Sequence, residues 1–231
     1  MKANSKQAVA NALRERILKM ELEPGKLIDE VRLAAELGLS RTPLREVIQL
    51  LCGQGYLVQE ENRGAKVASM DLETMHHFFR AAPMLYASVT QLAADTAKPA
   101  DIAALKDIQR AYRQAIREER IHDTAIENHR FHAWIGEIGG SPYLQPSLDR
   151  LLIDHTRISH IFYRSKTPDD AVRIEEAARQ HDEMIAAIEE RRSQDAAELA
   201  LKHWDLSRGR IEHFVQPDPF PYSPEDQKRA V

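Results

Sequence analysis

Asn128 and His132 stand four residues apart, and His181 and His203 each interrupt an otherwise apolar run at helical spacing. The stripes read Ala125, Asn128, His132, Ile135, then Ile174, Ala178, His181, Ile185, Ile188, and finally Ala196, Leu199, His203, Leu206. A further stripe, Leu144, Leu148, Leu151, His155, Ile158, Phe162, adds His155. Residues at spacings of three and four share one helix face, and in a bundle that face turns toward the core. Five polar groups therefore aim at one interior. An uncompensated buried imidazole or amide costs about 1–3 kcal/mol, so a converging set is expected to satisfy itself, a metal or a ligand. Asn128, His132, His181 and His203 are the candidate ligands of a divalent transition metal, zinc or nickel, because imidazole suits both. Taken singly, each histidine also fits a satisfied core or boundary position. His76, His77, His122, His129, His160 and His213 are expected at the surface or rim.

A second kind of chemistry sits near the N-terminus, in Leu37-Gly38-Leu39-Ser40-Arg41-Thr42-Pro43-Leu44-Arg45-Glu46. Gly38 can adopt the left-handed conformation that closes a helix. Ser40 or Thr42 can accept the free N–H groups that open the next helix, and Pro43 fits its first turn. Val31, Leu33, Ala34 and Leu37 suit a short helix before the turn, and Leu44, Val47, Ile48 and Leu51 give an apolar stripe after it. Arg41, Thr42 and Arg45 are left at the open end of the second helix, where a helix-turn-helix presents side chains to DNA bases.

The elements that must position these groups divide the chain in two. Residues 1–70 predict helices over 5–20, 30–37 and 42–53, then β-prone runs at 56–58 and 65–68 separated by a turn containing Asn62 and Gly64. This is three helices and a wing. A Pro24-Gly25 turn separates the first two helices, and Asp71 is a candidate N-cap for the fourth helix. Residues 71–216 predict six antiparallel helices, near 71–97, 100–118, 122–138, 142–164, 169–191 and 193–215, with a kink or a late start at Pro83. Residues 217–231 hold four prolines and are expected to pack loosely. The fold class is mainly α, a winged helix-turn-helix followed by an all-helical bundle.

Composition narrows the function classes. The 231 residues are 43% hydrophobic and 29% charged, ordinary for a soluble globular protein. No apolar run approaches a membrane span of about 18 residues, and the N-terminus lacks a signal-peptide core, so a cytoplasmic protein with no membrane partner is expected. Cys52 is the single cysteine, which excludes an intramolecular disulfide and a cysteine-rich zinc site. The net charge is −4, yet residues 1–70 carry 11 Lys and Arg against 9 Asp and Glu. The small basic excess lies in the half that would meet phosphates.

With both halves in view, the chain resembles the GntR family of bacterial transcription regulators, and within it the FadR subfamily with an FCD ligand-binding domain. The resemblance rests on Leu13-Arg14-Glu15-Arg16-Ile17-Leu18, Leu22-Glu23-Pro24-Gly25, the run from Leu33 to Glu46, and the wing Asn62-Arg63-Gly64-Ala65-Lys66-Val67. In the second half it rests on Asn128 to His132, Pro142-Tyr143-Leu144, His181 to Ile188 and Leu199 to His203. It implies that Arg32, Arg41, Thr42 and Arg45 contact operator DNA, Ser40 a phosphate, and Gly64 the minor groove. It implies a homodimer on a palindromic double-stranded operator and an effector that is a small organic acid or sugar acid. The family usually has Asp where this chain has Asn128, which removes a charge from the metal's ligand set. It often has an arginine facing the pocket near Ala82, where this chain offers Arg80 two residues away. Arg80, Tyr86, His155 and Arg157 are the effector-pocket candidates.

The expected function is a ligand-responsive transcription regulator, a repressor that leaves its operator when the effector binds. Two alternatives stand beside it: an activator, and a metal-dependent enzyme using the histidines. Against an enzyme, no Glu or Asp in the stripes is placed as a general base. The alternative for the exposed arginines pairs Arg41 and Arg45 with Glu46 or Gln49 on a solvated helix face.

Overall fold

The computed structural model describes residues 6–61, 63–164 and 167–215, with no side-chain description for Ile161 and residues 207–215. The 217–231 tail lies outside the described residues. Among these, the order is α1 (Lys6–Leu18), α2 (Glu30–Leu37), α3 (Arg41–Gly53), β1 (Leu57–Glu60), β2 (Gly64–Val67), α4 (Leu72–Thr96), α5 (Pro99–Arg117), α6 (Ile121–Gly139), α7 (Gln145–Phe162), α8 (Pro168–Glu189) and α9 (Ser193–Val215). The winged helix-turn-helix and the six-helix unit expected from the sequence are both present.

In the N-terminal part, Val9, Leu13 and Ile17 of α1, Leu33 of α2 and Leu44, Val47, Ile48 and Leu51 of α3 form one core with Leu57 and Val67 of the hairpin. Strands β1 and β2 pair antiparallel, from Leu57 opposite Val67 to Glu60 opposite Gly64. The segment after the Pro24-Gly25 turn, which reads only as a loop in the sequence, adds an edge to this hairpin. Ile28 N–H donates to Ala65 O at 2.8 Å, and Val67 N–H donates to Lys26 O at 2.9 Å. The wing is thereby tied to the helices.

The turn between α2 and α3 follows its local chemistry. Gly38 has φ +66° and ψ +33° and closes α2 with N–H bonds back to Ala34 O and Ala35 O. A side chain fits the space there, since nothing lies within 4 Å of a built Cβ, so the cost of substitution is conformational. Gly38→Ala is expected to lower stability by about 1 kcal/mol, the penalty of a left-handed L-residue, as a shift in urea midpoint with unchanged slope.

The helical unit packs α4 against α9 and α6, with α5 held between α6 and α8. Asp71 caps α4 as expected, accepting from Thr74 N–H at 2.8 Å. That bond and the Ser69 hydroxyl hold its carboxyl down to about 2. Helix α4 starts at Leu72 and runs to Thr96 with Pro83 inside it, so the late start does not occur.

Helix α7 departs most from its sequence pattern. One inward face was expected, but every residue with a described side chain from 151 to 160 is buried, including Asp154, Thr156, Arg157, Ser159 and His160. The reason is position: α7 packs on α4, α6 and α9 and also against α1. It is the layer between the winged part and the bundle, and its polar residues meet partners on both sides.

Candidate functional site

Two sites emerge, one on the surface of the winged part and one inside the bundle. At the surface, α3 begins with Arg41, with Ser40 extended ahead of it at φ −78° and ψ 165°. The Ser40 hydroxyl makes no capping bond, contrary to one expectation. Arg32, Ser40, Arg41, Thr42 and Arg45 are all exposed. Gly64 opens β2 with φ +84°, and a Cβ built on it would sit 3.6 Å from Glu30 Oε1. Glu30 also accepts from Arg45 Nε at 3.0 Å. The starts of α2, α3 and β2 thus converge on one face. Arg45 pairs with Glu30 rather than with Glu46 or Gln49, and Glu46 pairs with Lys6. Arg45 remains 66% exposed, so this ion pair is weak and exchangeable.

Inside the bundle, the structure brings His132 of α6, His181 of α8 and His203 of α9 together. One ring nitrogen from each lies within 4.8 Å of the others. His181 Nε2 and His203 Nε2 face each other at 3.3 Å. His181 is clamped by Phe131, stacked at 3.8 Å between centroids, and by Tyr112 at 4.9 Å. Burial holds the His132 and His181 imidazoles well below their usual range, and neighbouring histidines add to it. Burial takes His203 down to about 4. These rings are neutral near pH 7, the form that ligates metal.

The donor set fits a divalent transition metal on two observations of the site itself. His132 Nε2 and Asn128 Oδ1, one helical turn apart on α6, are buried without a hydrogen-bond partner among the described residues. Such atoms cost free energy unless something accepts their lone pairs. Three imidazole nitrogens and an amide oxygen are also a donor set suited to zinc or nickel.

The effector-pocket candidates separate. Tyr86 Oη and His155 Nδ1 share a hydrogen bond at 2.6 Å, and both line a cavity with His132, His203, Ala200 and Trp204. Its volume is ≈ 10 Å³, room for one water or ion. Burial brings His155 down to about 3. Arg80 is exposed on α4 and does not join them. Arg157 is buried elsewhere: Nη1 donates to Ala68 O at 2.7 Å and Nη2 pairs with Asp154. It ties α7 to the segment joining β2 and α4 and does not line the cavity.

One histidine expected at the surface or rim is buried instead. His160 is 5% exposed and its Nε2 lies 2.8 Å from Leu18 O, at the end of α1. His129 keeps its expected rim position, half-buried against Thr156 with Nδ1 and Oγ1 2.7 Å apart, and burial lowers it to about 4. Helix periodicity missed His160 because its partner, the Leu18 carbonyl, lies on the side of α7 that faces α1.

An exposed arginine-bearing helix-turn-helix joined to a histidine-lined helical bundle is the plan of a DNA-binding regulator with a ligand-binding part. Family comparison agrees: the profile of bacterial regulatory proteins of the gntR family matches residues 5–67, and that of the FCD domain matches residues 78–206. The chain belongs to the GntR-type transcription regulators with an FCD domain, in which a DNA-binding domain is joined to a ligand-binding one. It is 37% identical over 84 residues to the Nta operon transcriptional regulator of Aminobacter aminovorans, a match confined to 36% of this chain and 40% of that protein. It is 23% identical over 208 residues to the uncharacterized HTH-type transcriptional regulator YdhC of Bacillus subtilis (strain 168), covering 89% and 90% of the two chains. The solved structure of E. coli McbR/YncC shares the fold, with a TM-score of 0.78 at 19% identity over 91% of this chain and 98% of that one. Among the described residues, no helix is long and apolar enough to cross a membrane.

Proposed function

We propose that the chain is a cytoplasmic, homodimeric repressor that binds a palindromic operator and leaves it when a small organic or sugar acid reaches the helical unit. Residues 1–70 are assigned to DNA binding and 71–216 to sensing and dimerisation. Arg41, Thr42 and Arg45 read bases, Arg32 and Ser40 support the docking, and Gly64 lets the wing enter the minor groove. The observation that carries this reading is the pairing of exposed, weakly held arginines at the start of α3 with a buried, neutral three-histidine cluster in the bundle.

Asn128, His132, His181 and His203 would hold a zinc or nickel ion. Such an ion supplies a positive charge to which a carboxylate can bind. With Asn128 in place of an acidic residue the ligand set is neutral, so the site keeps the ion's full charge for an anion at the cost of weaker metal binding. Among the described residues, no carboxylate lines the cavity to serve as a general base, which favours sensing over hydrolysis. The cavity beside the histidines is too small for an organic acid, so entry requires Tyr86, His155 and Trp204 to move. A ligand that needs this opened arrangement shifts the population of conformers by its preference for it. Since α7 carries both His155 and Arg157, the same movement reaches the segment at Ala68.

The test is selection of a duplex from a random pool by the metal-loaded protein, then anisotropy of that duplex against a panel of organic and sugar acids. A palindromic motif whose affinity falls with one acid class is expected. Affinity that rises with the acid would replace repression by activation, and failure to enrich any motif would remove the DNA-reading assignment.

A further inference from the structure

The two facing histidines are each backed by a buried glutamine. His181 Nδ1 lies 3.1 Å from Gln109 Oε1, and His203 Nδ1 lies 3.1 Å from Gln180 Oε1. Both glutamines are almost fully buried, at 3% and 2% exposed. An amide oxygen only accepts and an amide nitrogen only donates, so the orientation of each amide decides which ring nitrogen carries the proton. For Gln109 the orientation is settled by its surroundings. Its Nε2 donates to Ala178 O at 2.8 Å and to Asp182 Oδ1 at 2.9 Å, which occupies both amide hydrogens with obligate acceptors. Asp182 is in turn held by Arg113. Gln180 repeats the plan: its Nε2 donates to Glu176 Oε1 at 2.9 Å, and Arg179 grips Glu176 with Nε and Nη2 at 2.7 and 2.6 Å.

We infer that Gln109 and Gln180 are positioning residues that hold His181 and His203 in the Nδ1–H tautomer, leaving both Nε2 lone pairs aimed at a common centre. This rests on the metal-site reading for its purpose, but the tautomer stands on the hydrogen bonds alone. Two neutral rings so held cannot hydrogen-bond to each other, because neither Nε2 has a proton to give. Their lone pairs nevertheless face at 3.3 Å, a repulsion that a cation between or beside them would relieve. The two relays, each an Arg–carboxylate–Gln–His series from surface to centre, come from different helix pairs. Outer partners of this kind orient the ligating ring and raise its basicity, and their loss typically costs 10–100-fold in metal affinity.

Long-range proton–nitrogen spectra of the metal-stripped full chain at neutral pH read the tautomers directly. Assignment comes from His181→Ala and His203→Ala, and no glutamine variant is needed. Both histidines are expected with the proton on Nδ1, opposite to the tautomer free histidine prefers. A proton on Nε2 of either ring would overturn the inference. Titration with Ni²⁺ supplies the second arm. Gln109→Leu and Gln180→Leu are expected to weaken binding 10–100-fold and to let the histidine each one backs take the Nε2–H tautomer. Folded leucine variants that bind Ni²⁺ as the wild type does would overturn the positioning role. If the wild type bound neither Ni²⁺ nor Zn²⁺, the metal reading would fall, and the tautomers would decide this inference by themselves.

Discussion

Replacing Arg41 and Arg45 together by alanine is expected to weaken specific operator binding by at least about 10²-fold, while binding to unrelated duplex falls far less. Each arginine that reads a guanine edge contributes about 1–3 kcal/mol of discrimination, and 1.4 kcal/mol is a factor of ten. Non-specific affinity depends on the summed phosphate charge, of which two arginines are a small part. The fold has little stake in either side chain: both are exposed, and the Arg45–Glu30 ion pair stands in solvent, where such pairs contribute about 0–1 kcal/mol. Melting temperature should therefore stay within a degree or two of the wild type. Competition anisotropy with the selected operator and a scrambled duplex measures both affinities. Equal losses on the two duplexes would make the arginines phosphate contacts only.

The second large effect concerns stability. Arg157→Leu is expected to destabilise the protein by about 3 kcal/mol, seen as a lower urea midpoint. Arg157 is 1% exposed and Asp154 is 4% exposed, and removing one partner of a buried ion pair costs about 3–5 kcal/mol because the other charge is stranded. The low end applies here, since Arg150 Nη1 also donates to Asp154 at 2.9 Å. The Ala68 carbonyl loses its donor as well. Asp154→Asn combined with Arg157→Leu removes both charges and should recover part of the loss, giving a measurable coupling in a double-mutant cycle. Additive effects of the two substitutions would mean that Arg157 acts through packing and its Ala68 bond and not through the ion pair.

The helix-turn-helix is legible in the sequence because its signals are local. Gly38 and Pro43 mark the turn between neighbouring helices, and the α3 stripe needs only its own period. The histidine cluster is legible for a related reason: His132, His181 and His203 each replace one member of an apolar stripe, so the pattern shows which way they point. What the pattern lacks are partners distant in sequence. Arg157 and His160 bond to the backbone carbonyls of Ala68 and Leu18, and carbonyls leave no trace in composition. Their burial comes from α7 lying between two packed units, which periodicity along one helix does not report. Glu30 beside Arg45, and Gln109 and Gln180 behind the histidines, escape the sequence for similar reasons. A single glutamate at a helix start reads as a favourable charge, and a single glutamine reads as a solvated face. Arg80 is exposed while Ala82 is buried, because two residues along a helix turn a side chain to another face.

If the bundle's histidines form a metal-dependent sensor input, metal and fold must be linked. Titration of Zn²⁺ or Ni²⁺ into metal-stripped protein, with thermal melting of the loaded form, tests this most directly. One ion per chain is expected, with a melting temperature that rises with free metal, as linkage requires of a ligand bound only to the folded state, and with both lost in His181→Ala. Wild-type protein that takes up no metal, or His181→Ala protein that binds it equally well, would contradict a metal-dependent sensor.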